Sequence, residues 1–319
     1  MKFFLLVLVL LKLVSAVRDF RWTLHSSCYE NAVYKEALTK AMETAKSRSA
    51  LCASRINNPF HRSYKKLAKI LVPKDEDLEI LKERYRKFDN VKGPIGEKSG
   101  FAASPDWTDR NDPFRNDFLL YCATDLDELD DGHGRFIPWD NARKRPLKED
   151  NALVVIQRDI EAGTWHNENY RVEAATAIAP PAFLPAEEGA KVADTITFNP
   201  IWLETKIANG DLLFNTTTLE KMKKEEALDE LKKGWKNGKQ ATPVDHLIGS
   251  LEGTLLHEMF HLSAFGSHKD LPDNGRAYGW MNNVKYKEVD NPELMAILGL
   301  MFDLKKNHKV TVNEAGELK

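Results

Sequence analysis

Residues 242–261 read TPVDHLIGSLEGTLLHEMFH, and this stretch carries the strongest signal of local structure in the chain. Thr242 can cap a helix N-terminus, Pro243 suits the first helical position, and Asp245 adds an acid to the first turn. Apolar residues then recur at every fourth position: Leu247, Leu251, Leu255 and Met259. This spacing predicts one helix that begins at Pro243 and buries an apolar stripe.

The same predicted helix carries the sequence His257-Glu258-Met259-Phe260-His261. Histidines four residues apart lie one turn above the other, and their imidazoles can bind one tetrahedral Zn²⁺ with bonds of about 2.0–2.1 Å. Glu258 follows the first histidine, where its carboxylate can accept a proton from a water molecule acidified by the metal. The pattern predicts one zinc ion held by His257 and His261, with Glu258 as general base.

A catalytic zinc site needs a third protein ligand, with water in the fourth position. After His261 the chain continues as a polar segment, residues 263–280, with the sequence SAFGSHKDLPDNGRAYGW. Asp270 and Asp273 both lie in this segment and can offer a carboxylate oxygen to the metal. Asp is also common in turns, so these residues alone leave the choice open. His268 is expected to be a solvated loop histidine.

The motif and the segment after it resemble the deuterolysin-like, or aspzincin, metalloendopeptidases of fungi, which include peptidyl-Lys endopeptidases. That family joins His-Glu-x-x-His to a loop of the form Gly-Thr-x-x-Asp-x-x-Tyr-Gly. Gly266, Asp273 and Tyr278-Gly279 correspond to the loop residues in this chain. The resemblance implies a zincin-like fold, Asp273 as the third zinc ligand, and Tyr278 as the group that steadies the transition-state oxyanion.

The chain departs from the family pattern in the loop. No Thr follows Gly266, and Asp273 precedes Tyr278 by five positions, where the family has three. Asp270 therefore remains an alternative third ligand, and Asp290 a weaker one. The resemblance covers roughly residues 118–304, and its specific motifs lie between residues 253 and 290.

Three cysteines are present: Cys28, Cys52 and Cys122. In an oxidising compartment two of them are expected to pair, and the residues alone do not decide which. The related family often has a cysteine at the position of Asn199. The loss of that cysteine implies that Cys122 is left free, so the resemblance predicts a bridge between Cys28 and Cys52.

The first 16 residues, MKFFLLVLVLLKLVSA, combine a basic start, an apolar run and small residues at the end. This is the layout of a secretory signal peptide, and the apolar run is too short to span a bilayer. The sequon Asn215-Thr216-Thr217 suggests a glycan on an exposed loop. The protein is therefore expected to be a secreted, extracellular glycoprotein with a disulfide.

The N-terminal region, residues 17–110, is rich in helix-forming residues and is predicted to be helical. It is either part of the catalytic domain or a removable prosegment. Its predicted helices cover residues 29–55 and 75–88. Residues 89–116 are dense in Gly, Pro, Ser, Asp and Asn, which favours a long loop at a domain boundary.

The zincin-like metallopeptidase domain is predicted to cover residues 111–306, followed by a frayed polar tail at 307–319. Short apolar runs predict strands, whereas charged or capped segments predict helices. The predicted strands are 118–123, 153–157 and 195–198, and the later helices are 219–235, the helix from Pro243, and 294–306. Early helices followed by short strands and late helices indicate an α+β fold.

The net charge of −2 and the lack of a basic block disfavour nucleic acid or an anionic membrane as partner. The expected partner is a protein or peptide substrate, and the mature protein is expected to be a monomer away from the membrane. Two functions remain. The first is a zinc-dependent endopeptidase. The second is a secreted binding or effector protein that keeps the peptidase fold without turnover, and it predicts that the third-ligand segment does not reach the metal.

Overall fold

The computed structural model describes residues 19–94, 118–130, 136–141, 145–167, 171–178, 194–233, 241–272 and 277–319. The predicted signal peptide and most of the predicted loop at 89–116 lie outside these residues. None of the helices in the described ranges is long and apolar enough to cross a membrane.

The strands in the described ranges are β1 (Phe20–Leu24), β2 (Val91–Lys92), β3 (Phe118–Tyr121), β4 (Leu126–Asp130), β5 (Phe136–Asp140), β6 (Arg145–Pro146), β7 (Ala174–Ala177) and β8 (Asp194–Phe198). The α-helices are α1 (Ser26–Tyr29), α2 (Ala32–Arg55), α3 (Arg62–Ala68), α4 (Asp75–Arg86), α5 (Ala152–Ala162), α6 (Pro200–Asn209), α7 (Thr216–Met222), α8 (Glu225–Lys233), α9 (Pro243–Ile248), α10 (Leu251–His261), α11 (Trp280–Tyr286) and α12 (Pro292–Asp303). A π-helical turn, Leu304–His308, extends α12.

A five-stranded mixed sheet has the strand order β2-β1-β3-β8-β7. The first four strands in this order are parallel, and β7 runs antiparallel to β8 at one edge. The inner strands β3 and β8 are buried along almost their whole length, and β3 has the apolar sequence FLLY that such burial favours. β4, β5 and β6 form a separate antiparallel sheet. The protein is thus a mixed α/β structure, and the coarse prediction of helices combined with a sheet is confirmed.

The N-terminal region and the later part of the chain contribute to one hydrophobic core. β1 pairs with β3, so both parts supply strands to the same sheet. α2 packs against α10 and α12, and α4 packs against α2. The core cluster extends from Trp22 to Val312. The described part of the N-terminal region is therefore packed into the same body as α10.

The predicted strand at 153–157 is wrong, because these residues lie in α5. The Asn151 side chain accepts a hydrogen bond from the backbone N–H of Leu153 at 3.0 Å and so caps the helix. Gly163, with φ of 64°, ends it in the left-handed conformation. The β-branched run between these caps favours a strand by propensity, but helical packing against β7 buries it and outweighs that preference.

The predicted single helix from Pro243 is divided into α9 and α10. Its N-terminal cap is confirmed, since Thr242 and Asp245 form a capping box. The break follows Ile248, and the backbone N–H of Leu251 donates to the carbonyl of Leu212 at 2.9 Å. A Cβ at Gly253 would lie 1.9 Å from the Ile248 carbonyl oxygen, so only glycine allows this approach of the two helices.

The predicted bridge between Cys28 and Cys52 is wrong, because Cys28 pairs with Cys122 with a Cα–Cα distance of 5.0 Å. Cys28 lies in α1, directly after β1, and Cys122 follows β3. Since β1 and β3 are neighbours in the sheet, the two cysteines meet at the same end of it. Cys52 lies inside α2, is fully buried in the core, and is the free cysteine.

Three predicted helices are confirmed with small shifts of their bounds, as α2, α4 and α12. The predicted helix at 219–235 is instead two helices, α7 and α8. The predicted frayed tail at 307–319 is ordered against the core. Val310 and Val312 are buried there, and the indole Nε1 of Trp280 donates to the Glu314 carbonyl at 2.9 Å.

Candidate metal centre

The histidines of α10 face the same side of the helix, as their spacing predicts. Their Nε2 atoms lie 3.2 Å apart, and the ring centroids are 5.0 Å apart. His257 is 5% exposed, so it is presented to the cleft from the core rather than from the open surface. The two Nε2 atoms therefore form one edge of a possible coordination site.

Each histidine has a separate partner for its other ring nitrogen. Nδ1 of His257 lies 3.0 Å from the Glu293 carboxylate, and Nδ1 of His261 lies 2.7 Å from the carbonyl oxygen of His268. Both partners are acceptors, so each Nδ1 donates its proton. Burial lowers the pKa of His257, but without a metal the Asp270 and Glu293 carboxylates outweigh burial and raise that pKa. Its Nε2 offers a lone pair only in the neutral tautomer with the proton on Nδ1. A metal-binding histidine needs this tautomer, and such outer partners fix the orientation of the ring.

Asp270 completes the cluster from the segment after α10. Its Oδ1 atom lies 3.3 Å from Nε2 of His257 and 3.6 Å from Nε2 of His261. With bonds of about 2.0–2.1 Å, the ligands of a tetrahedral zinc ion lie about 3.3 Å apart, so the three atoms have suitable spacing. Within the described residues, these three are the group that could hold a metal ion.

The Asp270 Oδ1 atom is buried and has no hydrogen-bond partner in the described structure. It faces both Nε2 atoms, so a proton carried by a histidine or a metal cation must lie between the three atoms. Burial raises the pKa of Asp270, but the neighbouring His257 and His261 outweigh burial and lower that pKa to about 2. The ionised Asp270 carboxylate, whose Oδ1 has no hydrogen bond, and the two imidazoles together fit a divalent cation such as zinc.

Asp273, the third ligand implied by the family resemblance, lies outside the described residues. The alternative Asp270 is the carboxylate that the structure places beside both histidines. Asp290 is not part of this cluster. It pairs with Arg84 and lies 3.7 Å from Nδ1 of His268. His268 itself is partly buried rather than solvated, and burial lowers its pKa to about 4.

Glu258 lies at the cleft on the same helix and is 7% exposed. Its Oε2 atom accepts a hydrogen bond from Thr176 Oγ1 at 2.6 Å. Thr176 belongs to β7, an edge strand in the described part of the sheet, and β7 packs against α10. The carboxylate of Glu258 is therefore held in a fixed position next to the two histidines.

Tyr278 lies beside the cluster, and its hydroxyl donates to Asp270 Oδ2 at 2.7 Å. Its ring stacks on the His257 imidazole with a centroid separation of 5.7 Å and an interplanar angle of 19°. The side of Tyr278 away from these contacts is open, since the residue is 50% exposed. Burial and the charge of Asp270 raise the pKa of its phenol, so the hydroxyl keeps its proton at neutral pH.

The cluster opens into a cleft of about 1270 Å³. The edge strand β7 forms one wall, and the Tyr278-Gly279 turn and α11 form another. Glu173 and Asp245 also line the cleft, and burial raises the pKa of both carboxyl groups. The site is therefore a large open groove with acidic side chains, next to the predicted metal ligands.

Two residues of the site escaped prediction from the sequence. Glu293 is not among the predicted site residues, and its local sequence, Asn291-Pro292-Glu293, serves to cap the start of α12. Thr176 lies in an Ala-rich stretch with no motif. Their sequence separations from their partners are 36 and 82 residues, so only the tertiary fold brings them to the site.

Comparison of the chain with known protein families, with curated proteins and with solved structures finds no match. The functional interpretation therefore rests on the geometry of His257, Glu258, His261 and Asp270.

Proposed function

We propose that the protein is a secreted zinc-dependent metalloendopeptidase with a zincin-like fold, similar to the aspzincins. One observation carries the proposal above all others. The buried, unpartnered Oδ1 atom of Asp270 lies 3.3 and 3.6 Å from the two histidine Nε2 atoms, which are themselves 3.2 Å apart. Three donors so arranged leave one tetrahedral position open, as hydrolytic zinc sites require.

The choice of zinc follows from the donor set. Two imidazoles and one carboxylate suit zinc better than calcium or magnesium, which prefer oxygen ligands throughout. When bound, zinc would lower the pKa of a water molecule to about 7 and polarise the scissile carbonyl. A carboxylate ligand also leaves the metal less positive than a third histidine would.

Glu258 is the general base in this proposal. Its carboxylate is buried at the cleft and held by Thr176, so it can accept a proton from the attacking water without first reorienting. It then passes that proton to the amine nitrogen of the leaving peptide. Tyr278 faces the same cleft with a protonated hydroxyl, and the family resemblance assigns it to the oxyanion.

The cleft supports a protein or peptide as substrate. In the described part of the sheet, β7 is the edge strand and borders the groove. An extended peptide can form backbone hydrogen bonds with such an edge. A groove of about 1270 Å³ is larger than a single amino acid needs, which favours cleavage within a chain.

Secretion is supported by the N-terminal sequence and by the Cys28–Cys122 bridge, since disulfides persist mainly in oxidising compartments. The sequon Asn215 caps α7, where its Oδ1 accepts from the Thr218 N–H at 2.7 Å. We include glycosylation at Asn215 in the proposal.

Metal analysis combined with a Glu258→Gln variant tests the proposed function. The wild-type protein should hold one zinc per chain and cleave a mixed peptide library, read by mass spectrometry. Glu258→Gln should keep the zinc and lose roughly 10²–10⁴-fold in kcat, because the amide cannot accept the proton. Glu288→Gln, on the exposed surface, is the matched control and should retain full activity.

Two results would overturn the proposal: wild-type protein that holds no stoichiometric zinc, or a Glu258→Gln variant with unchanged turnover. Protein that binds zinc but cleaves no peptide would instead favour the secreted binding or effector protein.

A further inference from the structure

The two carboxylate oxygens of Asp270 have different surroundings. Oδ1 faces the histidine pair and has no hydrogen bond, whereas Oδ2 accepts the Tyr278 hydroxyl at 2.7 Å. Asp270 lies in an irregular segment, without a helix or strand to fix its backbone. Within the described residues, the Tyr278 hydroxyl is the group outside the histidine pair that donates to this carboxylate. The orientation of the third ligand therefore depends on Tyr278.

The position of Tyr278 is in turn set by two buried amide side chains. Nδ2 of Asn291 donates to the Ala277 carbonyl at 2.7 Å and lies 2.9 Å from Oδ1 of Asn283. Asn283 Nδ2 donates to the carbonyls of Ala277 at 3.0 Å and Gly279 at 2.8 Å. Asn283 and Asn291 are 2% and 1% exposed. The backbone on both sides of Tyr278 is thus held by α11 and α12.

The ring of Tyr278 is also held by its stacking on His257. A side chain anchored at its backbone and along its ring presents its hydroxyl at a fixed point. The hydroxyl donates to Oδ2, while Oδ1 of the same carboxylate is the oxygen that lies near both Nε2 atoms.

The geometry points to Tyr278 as a positioning residue of the metal centre, which holds the ligand Asp270 in its binding orientation. Zinc affinity, and not only turnover, then depends on the Tyr278 hydroxyl. This inference rests on the proposed zinc site and differs from the oxyanion role that the family resemblance assigns. The hydroxyl has one proton, so it cannot donate to Asp270 and to a substrate oxyanion at the same moment.

The test is the zinc affinity of Tyr278→Phe, measured by competition with a chromogenic chelator. Loss of an outer-shell partner typically weakens metal binding about 10- to 100-fold, and we expect a loss in that range. Tyr286→Phe is the control, because it removes a tyrosine hydroxyl close by in the chain that does not line the cleft. Its zinc affinity should equal that of the wild type. Thermal unfolding of the metal-free proteins should be the same for all three.

A second pair of variants separates positioning of Asp270 from a general structural effect. In an Asp270→Ala background the hydroxyl has no carboxylate to hold, so Tyr278→Phe should cause no further loss of zinc affinity. A further loss there would overturn the inference. So would a Tyr278→Phe variant with wild-type zinc affinity and reduced kcat, which would assign the hydroxyl to the substrate alone.

These measurements distinguish failure of the positioning role of Tyr278 from failure of the proposed function. Wild-type protein that binds no zinc would overturn both. Wild-type protein that binds zinc but has no peptidase activity would overturn the peptidase proposal, while the affinities of the Tyr278 variants would still decide the positioning role.

Discussion

Helix α10 and the segment that follows it position the proposed zinc ligands by different physical means. α10 presents His257 and His261 through its own regular backbone hydrogen bonds, and each ring has a further acceptor at Nδ1. We call residues 262–279 the return segment, of which 273–276 lie outside the described part. This segment presents Asp270, whose carboxylate accepts one hydrogen bond, at 2.7 Å, from the Tyr278 hydroxyl. His257 and His261 are therefore fixed both by the helix backbone and by a hydrogen bond at Nδ1, whereas Asp270 depends on a single hydrogen bond.

This difference indicates where the protein tolerates change. α10 packs against α2, α12 and β7, so a change that moves the helix must also disturb the core. A change in the return segment can alter the metal site and leave the core intact. We therefore expect substitutions that disturb the packing of α10 to reduce stability. Substitutions of residues that contact the proposed ligands or Glu258 should instead change zinc affinity or turnover.

The largest expected effect comes from a substitution at Gly253, which disturbs the position of α10. A Cβ there would lie 1.9 Å from the Ile248 carbonyl oxygen, so Gly253→Ala forces α9 and α10 apart. We expect the free energy of unfolding to fall by about 3 kcal/mol or more, measured by urea denaturation of the metal-free protein. Gly249→Ala is the matched control, since its nearest contact would be 3.6 Å and its φ is −70°. Equal stability of the two variants would show that this close approach does not fix α10.

An intermediate effect is expected when the outer partner of one helix ligand is removed. Glu293→Ala leaves Nδ1 of His257 without its acceptor at 3.0 Å, so the ring loses both its orientation and its preferred tautomer. Zinc affinity should weaken about 10- to 100-fold, with chelator competition as the measurement. Glu288→Ala, which lies on the exposed surface, should bind zinc as the wild type does. Unchanged affinity of Glu293→Ala would mean that the helix alone orients His257.

The smallest expected effect concerns Thr176, which contacts the general base and no ligand. Thr176→Val removes the hydroxyl that donates to Glu258 at 2.6 Å while preserving the shape of the side chain. Because a hydrogen bond to a charged group contributes about 1.5 kcal/mol or more, we expect Thr176→Val to lower kcat about tenfold. Its zinc affinity should be unchanged. Thr176→Ser keeps the hydroxyl and should recover most of the rate. A Ser variant as slow as the Val variant would exclude the hydrogen bond as the cause.

The contrast between helix and return segment also explains what the sequence could predict. The spacing of His257 and His261 is a local property of a helix, so the orientation of both rings to one side of α10 follows from the motif alone. Asp270 and Asp273 are nearly equivalent in local sequence. The position of Asp270 beside the histidines depends on Tyr278, and the position of Tyr278 depends on Asn283 and Asn291.

The two incorrect predictions have different physical causes. Cys28 pairs with Cys122 because β1 and β3 are adjacent strands of the sheet. No local sequence pattern encodes that adjacency. Residues 153–157 form a helix and not the predicted strand because Asn151 and Gly163, which are ordinary helix-end signals, cap the segment on both sides. α12 was predicted well because its cap, Asn291, acts within its own first turn.

The burial of Cys52 has a practical consequence. It is the single thiol that remains after the Cys28–Cys122 bridge forms, it is 0% exposed, and burial raises its pKa. A thiol reagent can therefore react with it only when the core opens around α2, the helix that packs against both α10 and α12. The rate of labelling thus measures core opening at one natural probe. Comparing the labelling rate of Cys52 with and without zinc would show how strongly zinc binding in the cleft suppresses opening of the core.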